Sequence, residues 1–282
     1  MSNFLTFIFI VGSQRSGTTL AGQILGAHPN VLLIDEEDHL YEWLNAALVD
    51  NYETTRTAFE ACCALARRKY WKPEERASVV GKLSPKISHI VLKAPNATYS
   101  DEAIASAFPA ARIVYLVRDI RGVVASMQRL SHIPMVENQL RLMQTAPHIC
   151  RDFVEYIRVL SDPSTPRHKK MALIALTKMS LADRFRQAGL DVMSLKYEDL
   201  VANTEAVVSL LVKHCGLPDN PLCLSHTDVF QGLGPGKTDR NRSIDKASVT
   251  RWANDLDRQQ IQDVWDITAE FLLEQGYTEQ FD

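Results

Sequence analysis

The stretch Val11-Gly12-Ser13-Gln14-Arg15-Ser16-Gly17-Thr18-Thr19-Leu20 follows a short apolar run and opens an amphipathic segment, the order of a strand, a tight loop and a helix N-terminus. Backbone N–H groups in such a loop point inward and the helix end adds partial positive charge, so together they cradle an anion. Gly12 and Gly17 keep the glycine spacing of the nucleoside-triphosphate loop G-x-x-x-x-G-K-[ST], yet Thr18 stands at the lysine position and Arg15 is the only cation. The loop therefore reads as a phosphate-type anion site that departs from ATP chemistry.

Working outward, β-branched or aromatic runs at Thr6–Val11, His89–Leu92, Arg112–Val117 and Val192–Tyr197, with a strand-like Val31–Ile34, alternate with long helix-patterned segments. That alternation predicts an α/β fold of the P-loop-containing, three-layer α/β/α kind around a mostly parallel sheet. Ligands then bind beyond the strand C-termini. The three motif-like stretches, Gly12–Thr19, Lys93–Tyr99 and Arg118–Arg121, each follow a strand. Helices are expected at Glu53–Lys72 and Met135–Leu160, with a turn at Ser161–Pro166. Leu200, Val207, Val208, Leu211 and Val212 fall on one further helical face that Gly216 and Pro218 end. Gln231–Arg242 is too polar for core and reads as a mobile loop near the ligand, before helix resumes at Val249–Trp252.

The chain has 282 residues, 46% of them apolar, enough for one sizeable domain spanning 1–282. A net charge of −3 argues against a nucleic-acid partner, so any anion binding is focused in a cleft. The apolar run Phe4 to Val11 is far short of the ~20 residues of a membrane span and no basic segment precedes it. Five cysteines, including the neighbours Cys62 and Cys63 and no C-x-x-C, indicate neither a disulfide framework nor a zinc site and fit a cytoplasmic setting. Oligomeric state is not legible.

The second strong feature is Arg112-Ile113-Val114-Tyr115-Leu116-Val117-Arg118-Asp119-Ile120-Arg121-Gly122-Val123-Val124-Ala125-Ser126. Its strand ends in Arg118, and Asp119 is placed to cap the next helix. A nucleoside-triphosphate hydrolase would offer an acid here to hold Mg²⁺, whereas an arginine suits direct recognition of a second phosphate. Ser126, roughly 10 Å further along the helix, shares that anion only if the Arg118 side chain folds toward it.

At these residues the chain resembles the PAPS-dependent sulfotransferases, PAPS being 3′-phosphoadenosine 5′-phosphosulfate. Gly12 to Leu20 looks like their 5′-phosphosulfate loop, and Arg118 to Ser126 like their 3′-phosphate motif. Arg15, followed by Ala27-His28-Pro29-Asn30 and an acidic cluster, is closer to the tyrosylprotein and carbohydrate branch than to the cytosolic one. Order and spacing match across roughly Ile8 to Leu211. The resemblance implies that Arg15, Ser16, Gly17, Thr18 and Thr19 hold the phosphosulfate end of the donor, with Arg118 and Ser126 on the 3′-phosphate and Tyr197 on the nucleotide. Lys237, Thr238, Arg240, Arg242 and Arg251 resemble the C-terminal segment that closes over the donor.

The same resemblance implies a base in Asp35-Glu36-Glu37-Asp38-His39, where Glu36 falls on the catalytic glutamate and Glu37 is the neighbouring alternative. Crowded like charges would raise the proton affinity of one of these carboxylates. Lys93 looks like the lysine that neutralises charge growing on the leaving oxygen, with Arg15 beside it. Pro95 stands where the cytosolic branch keeps its histidine, which supports a carboxylate base. His28, His39 and His89 remain alternatives.

The implied activity is in-line transfer of a sulfonyl group from PAPS to a hydroxyl or amine of a small molecule, releasing PAP, with no metal required. The competing readings are a P-loop small-molecule kinase, which predicts a lysine at Thr18 and an acidic metal ligand, and a non-catalytic nucleotide-binding module. The absence of a secretory segment favours a soluble metabolite, natural product or lipid headgroup as acceptor. Helices within Leu40–Lys72 and His132–Leu160 are expected to wall its pocket, with Glu37, His39, Trp43, Tyr52, Trp71 and Met143 as contacts.

Overall fold

The computed structural model describes residues 6–36, 86–130, 132–234 and 238–279. β1 (Thr6–Gly12), β2 (Val31–Asp35), β3 (His89–Lys93), β4 (Arg112–Val117) and β5 (Asp191–Lys196) form one sheet in the order β2-β3-β1-β4-β5. Every neighbouring pair is parallel. Leaving β1, the chain passes to one side of it for β2 and β3 and to the other for β4 and β5. The strand order thus reverses beside β1, where open α/β sheets form their ligand crevice.

Both faces of the sheet are covered, which is why the strands read as nearly unbroken apolar runs. Along β1, Phe9 and Val11 pack into one core with the helices Ile120–Gln128, Arg167–Met179 and Arg258–Glu274. Ile8 and Ile10 point the other way, into a core shared with α1 (Thr18–Gly26) and the helix Thr204–His214. β4 divides alike, Ile113, Tyr115 and Val117 on one face and Val114 and Leu116 on the other. These are the three α/β/α layers expected. Among the described residues no helix is long and apolar enough to cross a membrane.

Four local expectations are corrected. Met135–Leu160 is not one helix but three, Met135–Thr145, Pro147–Asp152 and Val154–Ser161. Pro147 has no N–H to continue the ladder and holds Ala146 extended, at φ −105° and ψ 102°. The helix after β5 is likewise two, Tyr197–Ala202 and Thr204–His214, parted where Asn203 leaves helical geometry at φ −129° and ψ 51°. Tyr197 opens the first of them rather than closing β5, which ends at Lys196. The polar Gln231–Arg242 segment contains a small antiparallel pairing of Leu233–Gly234 with Thr238–Asp239. The helix expected at Glu53–Lys72 lies outside the described residues.

Candidate functional site

β1 ends at Gly12, where the backbone is pressed so closely on β4 that a Cβ would lie 2.5 Å from Leu116 O. The loop then turns on itself, with Ser16 Oγ donating to Ser13 O at 2.7 Å. α1 starts at Thr18 from Gly17, whose φ of 105° suits glycine, and whose absent side chain makes room for Tyr197 Cδ2 at 2.5 Å. Among the described residues only two without this freedom adopt positive φ, Arg15 at 68° and Glu36 at 51°. Such conformations persist only where the surroundings enforce them, and both residues wall the same cavity.

That cavity has a volume of about 520 Å³ and lies across the C-terminal edge of the sheet. Each strand delivers to it: Arg15, Gly17, Thr18 and Thr19 after β1, Glu36 after β2, Asn96 after β3, Arg118 and Ser126 after β4, and Tyr197 after β5. Thr238 and Arg251 complete it from the C-terminal part of the chain.

On the β4 and β5 side the site is rich in cations. Asp119 caps the helix Ile120–Gln128 by accepting from Arg121 N at 2.9 Å, which fixes the turn that carries Arg118. The Arg118 guanidinium lies 4.1 Å from the centre of the Tyr197 ring and donates to Arg15 O at 3.0 Å and Ser248 O at 2.8 Å. Its Nε is buried without a hydrogen-bond partner and folds back to within 3.1 Å of where a Gly122 Cβ would stand. The side chain thus runs back over its own helix at Gly122. Ser126 Oγ itself accepts from Arg15 Nε at 3.0 Å, and Thr238 Oγ1 accepts from Arg15 Nη1 at 3.2 Å. Burial, and then the neighbouring Arg118, push the Arg15 guanidinium below its ordinary value. Another arginine on the cavity wall, Arg129, is lowered by burial and by Arg251, Arg118 and Arg242 against the pull of Asp255. An anion placed among these groups would relieve their repulsion.

On the β2 and β3 side charges are matched. Lys93 is fully buried, with Nζ 2.8 Å from Asp35 Oδ1, 2.6 Å from Glu36 Oε1 and 3.2 Å from Thr19 Oγ1. Arg240 reaches Asp35 from the far side. Of the acidic run, Asp35 and Glu36 lie among the described residues. Asp35 and Glu36 have the Lys93 ammonium between them, so opposite charge surrounds each.

The structure brings Arg15, Gly17, Thr18, Thr19, Glu36, Arg118, Ser126, Tyr197, Thr238 and Arg251 to one cavity. Ser16 turns its hydroxyl into the loop, and Lys93 reaches the site through Thr19 and Glu36. Arg240 does not line the cavity and stands behind Lys93 on Asp35 instead. Arg242 lines the cavity and, like Arg251, pairs with Asp245. Met143, expected as an acceptor contact, is buried core. Glu37, His39, Trp43, Tyr52, Trp71 and Lys237 lie outside the described residues. Sequence reading missed Ser248, whose Oγ is 2.7 Å from Tyr197 Oη, and Lys178, buried and bonded to Gln14 Oε1 at 2.8 Å. A signal for Lys178 existed: it is the one charge in the apolar run Met171–Met179.

A glycine loop between a central parallel strand and a helix, opening on a cationic cleft, is the anion-binding arrangement of open α/β folds. The model of the Sulfotransferase family matches residues 8–221, and the chain belongs to that family. The fold is similar to that of the sulfotransferase domain from the curacin biosynthetic pathway, with a TM-score of 0.58 at 17% identity over 98% of this chain and 99% of that one. It is also similar to the sulfotransferase domain of the Synechococcus PCC 7002 olefin synthase, with a TM-score of 0.51 at 18% identity over 96% of each chain. No curated protein matches in sequence.

Proposed function

We propose that this protein transfers the sulfonyl group of PAPS to a hydroxyl or amine of a small molecule and releases PAP, without a divalent metal. The observation that carries this reading is that Arg15 and Arg118, from the exits of two neighbouring strands, wall one cavity. The residues present fit the donor. The cavity is of a size that suits a nucleotide. Its arginines repel one another until an anion arrives, and Arg118 keeps a buried Nε without a partner.

Arg15, Gly17, Thr18 and Thr19 would hold the phosphosulfate end, with Arg118, Ser126, Tyr197, Thr238 and Arg251 on the adenosine 3′-phosphate end. Bound PAPS supplies an activated sulfonyl group and a phosphate leaving group. Glu36 removes the proton of the acceptor, and Lys93 holds positive charge where the leaving oxygen becomes negative. Because Lys93 also touches Glu36, it orients the base, and its bond to Thr19 ties that pair to the loop. A sulfonyl group carries less charge than a phosphoryl group, so fixed guanidinium and ammonium groups suffice where a kinase uses Mg²⁺.

Titration calorimetry of the protein with PAP and with ATP, each with and without Mg²⁺, tests the reading. PAP should bind at micromolar concentration or below and independently of metal. Mg²⁺-dependent ATP binding with no affinity for PAP would mark a kinase and overturn it. Tight PAP binding with no sulfated product from any acceptor would leave a nucleotide-binding module.

A further inference from the structure

Lys178, in the helix Arg167–Met179, is fully buried, and its Nζ donates to Gln14 Oε1 at 2.8 Å and to Pro95 O at 2.7 Å. Lys178 Nζ gives its protons to the Gln14 and Pro95 oxygens, which leaves the Gln14 nitrogen turned away from it. That nitrogen donates to Asn96 Oδ1, and Gln139 Nε2 donates to the same oxygen at 3.0 Å. One buried lysine thereby sets the polarity of three amides in series. Asn96 has its oxygen filled twice and its Nδ2 protons left over. Gln139, 3% exposed, is left with a buried Oε1 that has no hydrogen-bond partner.

Asn96 and Gln139 both wall the cavity, near the apolar side chains of Leu130, Ile133 and Met135. Asn96 follows β3, the strand that carries Lys93, and Gln139 reaches it from the helix Met135–Thr145. The pair offers one donor and one acceptor, neither with net charge. A carboxylate there would set its oxygens against Gln139 Oε1, and an ammonium would set its protons against Asn96 Nδ2. A buried polar group left facing its own kind is costly, and sites built this way discriminate strongly.

Resting on the sulfotransfer reading above, we propose that Asn96 and Gln139 select the acceptor, taking an uncharged molecule with an apolar body and a group that both gives and takes a hydrogen bond, a hydroxyl or a primary carboxamide.

The test uses the full chain saturated with PAP and four probes on one body: phenethyl alcohol, phenylacetamide, phenylacetate and phenethylammonium, their affinities measured by saturation-transfer NMR. The alcohol and the amide should bind at least about tenfold tighter than the two ions. Asn96→Asp keeps oxygens for Gln14 and Gln139 to donate to but replaces the cavity-side donor with an acceptor. It should move the alcohol-to-ammonium affinity ratio about tenfold or more toward the ammonium, with PAP affinity within about twofold of wild type. Gln139→Leu removes the acceptor that opposes a carboxylate and should move the alcohol-to-carboxylate affinity ratio about tenfold toward the carboxylate. Equal binding of the four probes to wild type, or an unchanged ratio in Asn96→Asp, would overturn the proposal. Failure of wild type to bind PAP would sink the sulfotransfer reading instead, and the same ratios on the nucleotide-free protein would then decide the selectivity of the amide pair.

Discussion

The two ends of the cavity are built on opposite electrostatic plans. Beyond β2 and β3, Lys93 and Arg240 face Asp35 and Glu36, two cations against two carboxylates, packed until Lys93 and Asp35 are almost without exposure. Beyond β4 and β5, Arg118 makes no ion pair among the described residues, donating to two backbone carbonyls and lying on the face of Tyr197, and Arg15 and Arg129 crowd toward it. A balanced cluster holds its shape without a ligand and suits moving a proton or absorbing a developing charge. An unbalanced one awaits an anion. One cleft thus separates chemistry from donor recognition by how completely its charges are paired at rest.

The contrast breaks most visibly at Lys93. Lys93→Met leaves two carboxylates with an apolar neighbour, and removing one partner of a buried pair costs about 3–5 kcal/mol. Turnover should fall about a thousandfold or more, with a lowered Tm in the same preparation. Glu36→Gln keeps the shape and should cost about 10²–10⁴ in kcat while PAP affinity stays near wild type, by calorimetry. Wild-type turnover in Glu36→Gln would move the base to Glu37 or a histidine and void the assignment of chemistry to the balanced side.

At the other end the expected loss is in binding. Arg118→Ala should raise the apparent donor KM about tenfold to a hundredfold with a smaller change in kcat, since a hydrogen bond to a charged group contributes about 1.5–3 kcal/mol. Arg118→Lys should recover only part of this, because an ammonium cannot stack flat on Tyr197 and donate on two sides at once. An Arg118→Ala variant that lost kcat at unchanged KM would show that the unbalanced side, too, does chemistry.

Much of this was legible in the chain. β4 was read at Arg112–Val117 because a fully buried parallel strand is an unbroken apolar run, and the loop after β1 because two glycines at that spacing permit a turn close to neighbouring backbone. Arg15, Arg118 and Ser126 were named because they belong to contiguous motifs. What escaped was contact across the sheet. Nothing local to Lys178 says that it reaches Gln14, 164 positions away, nor does anything near Arg240 say that it meets Asp35 rather than the cavity. The helix breaks at Asn203 and Phe153 also escaped, because an apolar stripe continues through a kink that periodicity alone does not register.

The smallest predicted effect concerns the floor that both ends share. α1 begins at the loop and ends at Gly26, and just beyond it His28 Nδ1 accepts from Asn30 N at 3.1 Å while Nε2 lies 3.1 Å from Pro218 O. This arrangement needs a neutral ring with its proton on Nε2, and burial pushes the His28 imidazole below its ordinary value of 6.5. A histidine depressed on folding binds fewer protons folded than unfolded. Its contribution is therefore complete above that ordinary value and is lost as pH falls through the folded value. Tm should drop on acidification from pH ~7 to ~5, by about 2–4 °C for each kcal/mol, and His28→Gln, which keeps an acceptor and a donor but cannot charge, should flatten the drop. His89 and His226, also lowered by burial, leave a residual slope. A His28→Gln protein as acid-sensitive as wild type would shift the weakness into the charge clusters themselves, and the balanced side could then no longer be described as self-sufficient at rest.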